Sequence, residues 1–392
     1  MILSFFQYIT IAGLINAFAV SLFLAFRKNH HSANIYLSLL LIIVSFQAVL
    51  NAFDNRDFFL LFPHLGKISW LTPSLFGPLV YLFTIKISSG YEKFKPADLV
   101  HFIPFSIYMA VLFPWFTKSA EEKRTYFNNF ELASVDDFGF INQLSIFIIL
   151  FYFLITLLYL RKHRERIKNS YSETSKVRLD WLRHFIYLVL VILIFTGLAF
   201  YGRKVNLAFL SEFYHYTYAL VVILIYWIAF KVATQPIIFG TENHFVNLNM
   251  KNHQTLTEKI ELTEWPETKK YKKSGLDSDK LVSQYQYLLD FMDTKKPFLE
   301  PELTIFQLSE MVNISKHHLS QIINEKVGKN FFDFINEYRV NELKQKLSDP
   351  SLQNLTLMAL ATDSGFNSKA TFNAAFKKIT GLTPSMYKKV NP

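Results

Sequence analysis

Seven stretches of this 392-residue chain contain no Asp, Glu, Lys or Arg, and each is long enough to cross a lipid bilayer as a helix. A spanning helix needs about 17–25 apolar residues. The stretches are residues 1–26, 29–53, 68–85, 99–117, 138–160, 184–202 and 213–230. Seven buried helices in one large soluble core are the alternative interpretation. The charged fraction is only 18%, whereas soluble proteins hold about 25%, and this favours a membrane bundle.

The basic residues of the connecting loops predict the orientation of these helices. The loops after the first, third and fifth stretches hold more Lys and Arg than those after the second, fourth and sixth. Basic loops favour the cytoplasmic side of a membrane. Most of the difference comes from residues 161–166, whose sequence is Arg-Lys-His-Arg-Glu-Arg. Seven crossings then place the N-terminus outside, with an uncleaved first helix, and the C-terminus inside.

Polar side chains inside the spanning stretches have two interpretations. They either form a ligand pocket or relay, or they make hydrogen bonds between helices and lie near the headgroups. These residues are Asn16, Gln47, Asn51, His101, Asn142, Gln143 and His184. The chain holds no HExxH or GxSxG motif and no cysteine, so we expect neither an enzyme, nor a metal site, nor a cofactor.

A polar, aperiodic segment, residues 233–277, follows the last apolar stretch and is predicted to be a cytoplasmic linker. After it, an amphipathic helix is predicted over about 278–293. Its apolar positions are Leu281, Val282, Tyr285, Leu288, Leu289 and Met292. This face must be buried either against the following domain or against a second chain. We expect it to pair two chains in a homodimer.

The C-terminal part of the chain contains an internal repeat. Its paired positions are Thr304 and Thr356, Leu308 and Leu360, Asn313 and Gly365, Ser315 and Ser368, and Gly328 and Gly381. Thr and Ser are typical N-caps, Asn and Gly tolerate a positive φ in a turn, and Gly commonly ends a helix. The pattern predicts two helix-turn-helix motifs, about 304–328 and 356–381, joined by a helix over about 331–348.

The second copy is the more specific of the two. Its marked residues are Gly365, Phe366, Ser368, Phe372, Phe376, Lys377, Gly381, Thr383, Pro384 and Tyr387. On these residues, the segment 296–392 resembles the C-terminal DNA-binding domain of AraC-family transcriptional regulators. The expected fold class is all-α, a seven-helix transmembrane bundle followed by a double helix-turn-helix DNA-binding domain. The expected domains are 1–232, the linker 233–277, and 278–392 with its leading amphipathic helix.

The resemblance implies that the second helix of each motif enters the major groove of double-stranded promoter DNA, with the two helices about 34 Å apart. Leu319, Ile322, Ile323, Phe372, Ala375 and Phe376 are expected to face the core. The candidate DNA-binding residues are then Lys316, His317, Ser320, Gln321, Asn324, Lys369, Ala370, Asn373, Lys377 and Lys378.

The candidate residues differ in which part of the DNA they can bind. Gln321 and Asn324 are expected to read adenine edges, and the lysines to bind phosphates. Many family members have Arg at the positions of Gln321 and Ala374. We therefore expect the first recognition helix to read sequence and the second mainly to hold the DNA backbone.

The expected function is a sequence-specific transcription regulator in the bacterial inner (cytoplasmic) membrane, which senses an unknown signal through its apolar helices. Two alternatives are a transporter or enzyme with an appended regulatory module, and a tethered regulator that proteolysis releases. Expected partners are promoter DNA, the lipid bilayer, a second copy of the chain, RNA polymerase, and a small-molecule or envelope signal.

Overall fold

The computed structural model describes residues 4–26, 32–88, 94–129, 139–175, 178–204, 207–234 and 278–390. This part of the chain is helical, and its strand-like pairing is an isolated antiparallel bridge between Tyr171 and Thr304. The all-α prediction is confirmed. The predicted linker lies outside the described residues except for its first two positions.

The chain divides into two compact units. The first comprises Met1–Leu160 and Leu179–Asn249, and the second Arg161–Arg178 and Met250–Pro392. Residues 161–178, which we predicted to lie within the first domain, therefore group with the second unit. The second unit is discontinuous in sequence.

The first unit is built from long helices and several short ones. They are α1 (Phe5–Phe26), α2 (Ser32–Ala52), α3 (Arg56–Leu61), α4 (Ile68–Leu71), α5 (Phe76–Ser88), α6 (Ile103–Phe116), α7 (Ala120–Asn128), α8 (Phe140–Lys168), α9 (Asp180–Lys204) and α10 (Ala208–Thr234). Short 3₁₀ turns occupy Pro63–Leu65, Thr72–Leu75 and Pro96–Phe102. Each of these turns has a proline at its first or second position. Proline has no backbone N–H and is tolerated there, because the first N–H groups of a helical turn have no partner within it. The last residues of α8 belong to the second unit.

Among the described residues, six helical segments are long and apolar enough to cross a membrane. They are Gln7–Phe26, Ala33–Ala52, Pro63–Ser88, Pro96–Phe116, Gln143–Lys168 and Asp180–Gly202. The seventh predicted stretch lies in α10, where the apolar segment Ala219–Ile228 is shorter. The count of seven therefore stays a prediction.

A buried ion pair lies within the first unit. The Lys86 ammonium, 1% exposed, lies 2.8 Å from the Asp98 carboxylate, and the Tyr36 hydroxyl donates to the same carboxylate at 3.3 Å. Burying charge is costly unless it is paired and hydrogen-bonded. Lys86 on α5 thereby fixes the turn that leads into α6.

Hydrogen bonds within the first unit use several of the polar residues that the sequence left with two interpretations. Gln47 donates to Asn51 at 3.0 Å and to the Ser69 carbonyl at 3.1 Å. A His101 ring nitrogen lies 3.2 Å from the Tyr152 hydroxyl. The Gln47–Asn51 bond lies within α2, whereas the Gln47–Ser69 and His101–Tyr152 contacts join different helical segments. The latter two favour the interpretation as interhelical hydrogen bonds over a ligand pocket.

The second unit is built from shorter helices. They are α11 (Ser278–Lys295), α12 (Ile305–Met311), α13 (Lys316–Ile322), α14 (Phe331–Leu347), α15 (Leu357–Asp363), α16 (Lys369–Thr380) and α17 (Pro384–Val390), with 3₁₀ turns at Pro297–Leu299 and Pro350–Leu352. After α13, the turn Ile323–Val327 winds more widely, as a π turn. The long helix α14 packs against both motifs.

The amphipathic helix α11 corrects the prediction of a dimer element. Its Leu281, Leu288 and Met292 side chains are buried in one core with Leu308, Leu319 and other residues of the first motif. The apolar face is thus covered by the following domain, which was the other alternative. Periodicity locates an apolar face but carries no information about its partner.

Candidate nucleic-acid interface

Local capping sets the first helix-turn-helix motif. Gln307 N donates to the Thr304 hydroxyl at 3.2 Å, and Thr304 N donates to the Gln307 side chain at 2.8 Å, a reciprocal capping box. Asn313 in the turn has φ +51°. Ser315 caps α13 by accepting from His318 N. The left-handed Gly328 ends the π turn that follows.

The second motif repeats this arrangement. Thr356 accepts from Ala359 N at 3.1 Å, and Ser368 accepts from Thr371 N at 3.3 Å. Gly381 ends α16 with φ +77°. The predicted caps, turns and stops of both motifs are confirmed. These features depend on residues a few positions apart, which explains why sequence predicts them well.

Gly365 has a second reason to be glycine. Its φ is +92°, and a Cβ placed there would lie 2.4 Å from the Phe298 carbonyl oxygen and 3.0 Å from Arg339 Nε. The turn of the second motif therefore lies directly against the turn Pro297–Leu299 and against α14. Only the missing side chain permits this approach.

Arg339 on α14 is fully buried and organises the centre of the domain. Its guanidinium donates to the carbonyls of Phe298, Glu300 and Pro301, at 2.8, 2.7 and 3.2 Å. Burial lowers the pKa of Arg339 to about 10, opposed by the nearby Glu173 and Glu300 carboxylates. The group remains protonated at neutral pH, so its donors stay available.

We call the second helix of each motif a recognition helix: the first is α13 with its π turn, and the second is α16. Both helices turn their predicted core residues inward. All of the following are buried: Leu319, Ile322, Ile323, Phe372, Ala375 and Phe376. The predicted inner faces are therefore confirmed.

The outer face of the first recognition helix is less exposed than predicted. Lys316 and His317 are exposed, and Ser320 and Asn324 are half-buried. Asn324 donates to the Ser320 hydroxyl at 3.2 Å.

Gln321 was predicted to be exposed and is 2% exposed. Its amide nitrogen donates to the Glu325 carboxylate at 3.2 Å. The covered face of the first recognition helix is therefore wider than helical periodicity alone implies. The expected exposure of Gln321 is not found, and its role as a base-reading residue stays a prediction.

The second recognition helix presents its candidates as predicted. Lys369, Ala370, Asn373, Lys377 and Lys378 are all exposed. The Lys378 ammonium lies 2.7 Å from Asp333 on α14, which ties the end of this helix to the connecting helix. The exposed groups provide an amide with donor and acceptor atoms, and ammonium groups that only donate.

Sequence reasoning missed a polar contact at the start of the second recognition helix. The Thr371 hydroxyl donates to the Glu173 carboxylate at 3.0 Å. Glu173 lies in the loop between α8 and α9. No local pattern joins two residues so far apart in the chain.

Comparison with known proteins agrees with this geometry. Residues 308–389 match a protein family described as a helix-turn-helix domain. The C-terminal part of the chain is an AraC-type helix-turn-helix domain, as the sequence predicted.

Two relatives illustrate the match. An uncharacterised HTH-type transcriptional regulator of Staphylococcus aureus (strain COL) is 31% identical over 128 residues, which is 32% of this chain and 16% of the relative. The multiple antibiotic resistance protein MarA of Escherichia coli (strain K12) is 28% identical over 26% of this chain and 77% of MarA. The chain therefore spans about a sixth of the staphylococcal relative.

One solved structure is also similar, that of a Listeria innocua protein of unknown function. It is 31% identical, and the match covers 27% of this chain and 96% of the other, with a TM-score of 0.24.

Proposed function

We propose that the chain is a multi-pass protein of the bacterial cytoplasmic membrane that binds promoter DNA and changes its DNA binding in response to a signal at its apolar helices. The observation that carries the membrane location is the surface of the first unit. Large apolar side chains are exposed along its spanning helices, among them Ile15, Phe18, Phe147, Leu154, Ile194 and Leu198. Many exposed large apolar side chains suit lipid and not water.

The basic residues of 161–166, at the end of helix α8, support a cytoplasmic location for the DNA-binding unit. Promoter DNA is accessible there, and basic loops favour that side. A second copy of the chain, RNA polymerase, and a small-molecule or envelope signal complete the proposed set of partners, as suits a regulator of transcription.

The exposed side chains suggest how DNA is held. Lysine ammonium groups bind phosphates without sequence preference, whereas an amide can pair with an adenine edge. We assign phosphate contacts to Lys316, Lys369, Lys377 and Lys378, and base contacts to His317, Asn324 and Asn373. Ser320 and Ala370 lie on the same two helices and complete the contact surface.

The test is a genome-wide DNA-binding profile of the intact chain, combined with membrane fractionation of the same cells. We expect discrete promoter peaks from protein that sediments with the membrane. A second strain carries the DNA-binding unit, including residues 161–178, on one inert anchor. A sensor loses its response to growth conditions in that strain, whereas a mere tether keeps it. Peaks from a soluble fragment alone would instead support release by proteolysis.

A further inference from the structure

Residues 170–174, here called the docking segment, lie along the DNA-binding domain within the second unit. Ser172 N donates to the Leu303 carbonyl at 3.1 Å, and Ile305 N donates to the Ser170 carbonyl at 3.0 Å. Between these two bonds, Tyr171 faces Thr304 in an antiparallel bridge. The segment thus pairs with the backbone at the start of α12, the first helix of the first motif.

The centre of the docking segment reaches the connecting helix. Ser172 is fully buried, and its carbonyl accepts from Asn336 Nδ2 at 3.2 Å. Its hydroxyl accepts from Arg339 Nη2 at 3.1 Å. A buried polar backbone must find such partners to remain buried. The segment is therefore a fitted part of the domain surface.

The end of the docking segment reaches the second recognition helix. Glu173 is 7% exposed, and one of its carboxylate oxygens accepts from the hydroxyl of Thr371, in the first turn of α16. Its other oxygen is buried without a hydrogen-bond partner among the described residues. The oxygen that accepts from Thr371 also accepts from Ser175 N at 2.7 Å, and the Thr371 N–H is capped by Ser368. The carboxylate therefore lies beside the first turn of the second recognition helix and holds the Thr371 hydroxyl.

A helix N-terminus attracts anions, because its free N–H groups and the helix dipole point toward them. In protein–DNA complexes such ends bind backbone phosphates. A carboxylate here repels a phosphate, because both are negative, and it already uses the Thr371 hydroxyl that a phosphate at this place would need as a donor. Glu173 therefore excludes a phosphate from the start of α16 for as long as the segment is docked.

We propose that the docking segment is an autoinhibitory element that masks a DNA-phosphate site at Thr371 and the N-terminus of the second recognition helix. Withdrawal of the segment exposes this site and returns the unpaired carboxylate oxygen of Glu173 to water, which recovers its hydration. The segment joins α8 directly to α9, so a displacement of these helices acts on it without passing through the linker. This inference rests on the proposed function, since the apolar helices supply the signal.

A reversible disulfide tests the proposal in the full chain, which has no cysteine of its own. Tyr171 and Thr304 are a non-hydrogen-bonded antiparallel pair, whose Cα atoms typically lie about 4.5 Å apart, within the range that a disulfide bridges. The variant Tyr171→Cys/Thr304→Cys is placed in lipid nanodiscs and its affinity for promoter DNA is measured oxidised and reduced. We expect oxidation to weaken binding about tenfold, as one phosphate position and its neighbours are lost.

Each single-cysteine variant serves as a control and should show no redox effect. The pair Tyr171→Cys/Ser351→Cys places the second cysteine on an exposed turn and should not form the disulfide. If the oxidised docked variant binds DNA as tightly as the reduced one, or more tightly, the autoinhibitory role is wrong. If the unmodified chain binds no promoter DNA at all, the proposed function fails instead.

A charge variant gives a second measurement without a disulfide. Glu173→Gln keeps an acceptor for Thr371 and removes the negative charge. We expect roughly three- to tenfold tighter DNA binding and a steeper salt dependence by about one counterion. Glu165→Gln is the matched control, because Glu165 is exposed on α8 and its loss changes net charge equally. Equal effects of the two variants would reduce the result to net charge and overturn the proposal.

Discussion

The exposed amide and ammonium groups of the two recognition helices differ in what they can distinguish on DNA. Asn373 carries both a donor and an acceptor, so it can match the edge of one base and mismatch others. Lys377 is exposed one turn further on, and its ammonium group can bind a phosphate of any nucleotide without sequence preference. Gln321 carries the same amide as Asn373, but its burial beside Glu325 gives it a role in the domain interior.

This difference predicts opposite behaviour of two amide variants. Asn373→Ala should cost about 1–3 kcal/mol on the preferred site and lower the ratio of specific to random binding. Gln321→Ala should leave that ratio unchanged and lower the stability of the domain by about 1–3 kcal/mol, since a buried hydrogen bond and its packing are lost. Competition binding and thermal unfolding measure the two quantities. A flattened base preference in Gln321→Ala alone would reverse the assignment.

The leading helix α11 is the element whose role changes most. Its bounds, Ser278–Lys295, are close to those that periodicity indicates. Its buried side chains belong to the core of the first motif, and α11 packs against α13. Helix α11 is therefore packed into the second unit, and its buried face is not available to pair two chains.

A core position and an exposed position on α11 separate the two roles. Leu288→Ala should destabilise the domain by about 2–5 kcal/mol, because it opens a cavity under the first motif. Val282→Ala, on the exposed side of the same helix, should change stability by less than about 0.5 kcal/mol. Limited proteolysis and thermal unfolding of the full chain report both. If Leu288→Ala left stability intact and abolished cooperative DNA binding, α11 would be a dimer element after all.

Distance along the chain explains which elements sequence could predict. The caps at Thr304 and Ser368 and the turn at Gly365 follow from residues a few positions apart, and all are as predicted. The contact between Glu173 and Thr371 joins residues 198 positions apart. Polar residues in a loop carry no periodic signal for such a partner. The burial of Gln321 was missed because helical periodicity places this residue on the outer face and carries no information about tertiary packing.

At the scale of the whole molecule, the two units have opposite surfaces. The first exposes large apolar side chains, and the second exposes lysines on its recognition helices. Each surface suits one solvent, lipid for the first and the aqueous surroundings of DNA for the second. We therefore expect each unit to lie in the surroundings in which its surface is stable.

The proposed orientation gives a direct prediction for reporter fusions. Alkaline phosphatase fused after Pro392 should be inactive, because it would remain in the cytoplasm, while green fluorescent protein at the same site should fluoresce. Alkaline phosphatase fused within residues 118–128, between the fourth and fifth stretches, should be active, since the basic-loop rule places this loop outside. An active fusion at the C-terminus would contradict the orientation.

The docking segment is synthesised before the helices that it contacts, and this has a consequence for how the domain folds. A ribosome makes about 5–20 residues per second, and Thr371 lies 198 residues after Glu173. The segment is thus complete about 10–40 s before its last partner emerges. Every newly made DNA-binding domain therefore folds in the presence of a ligand that is already tethered beside it. Each new molecule would therefore start with the docking segment in place, and it would bind promoter DNA fully only after the segment withdraws.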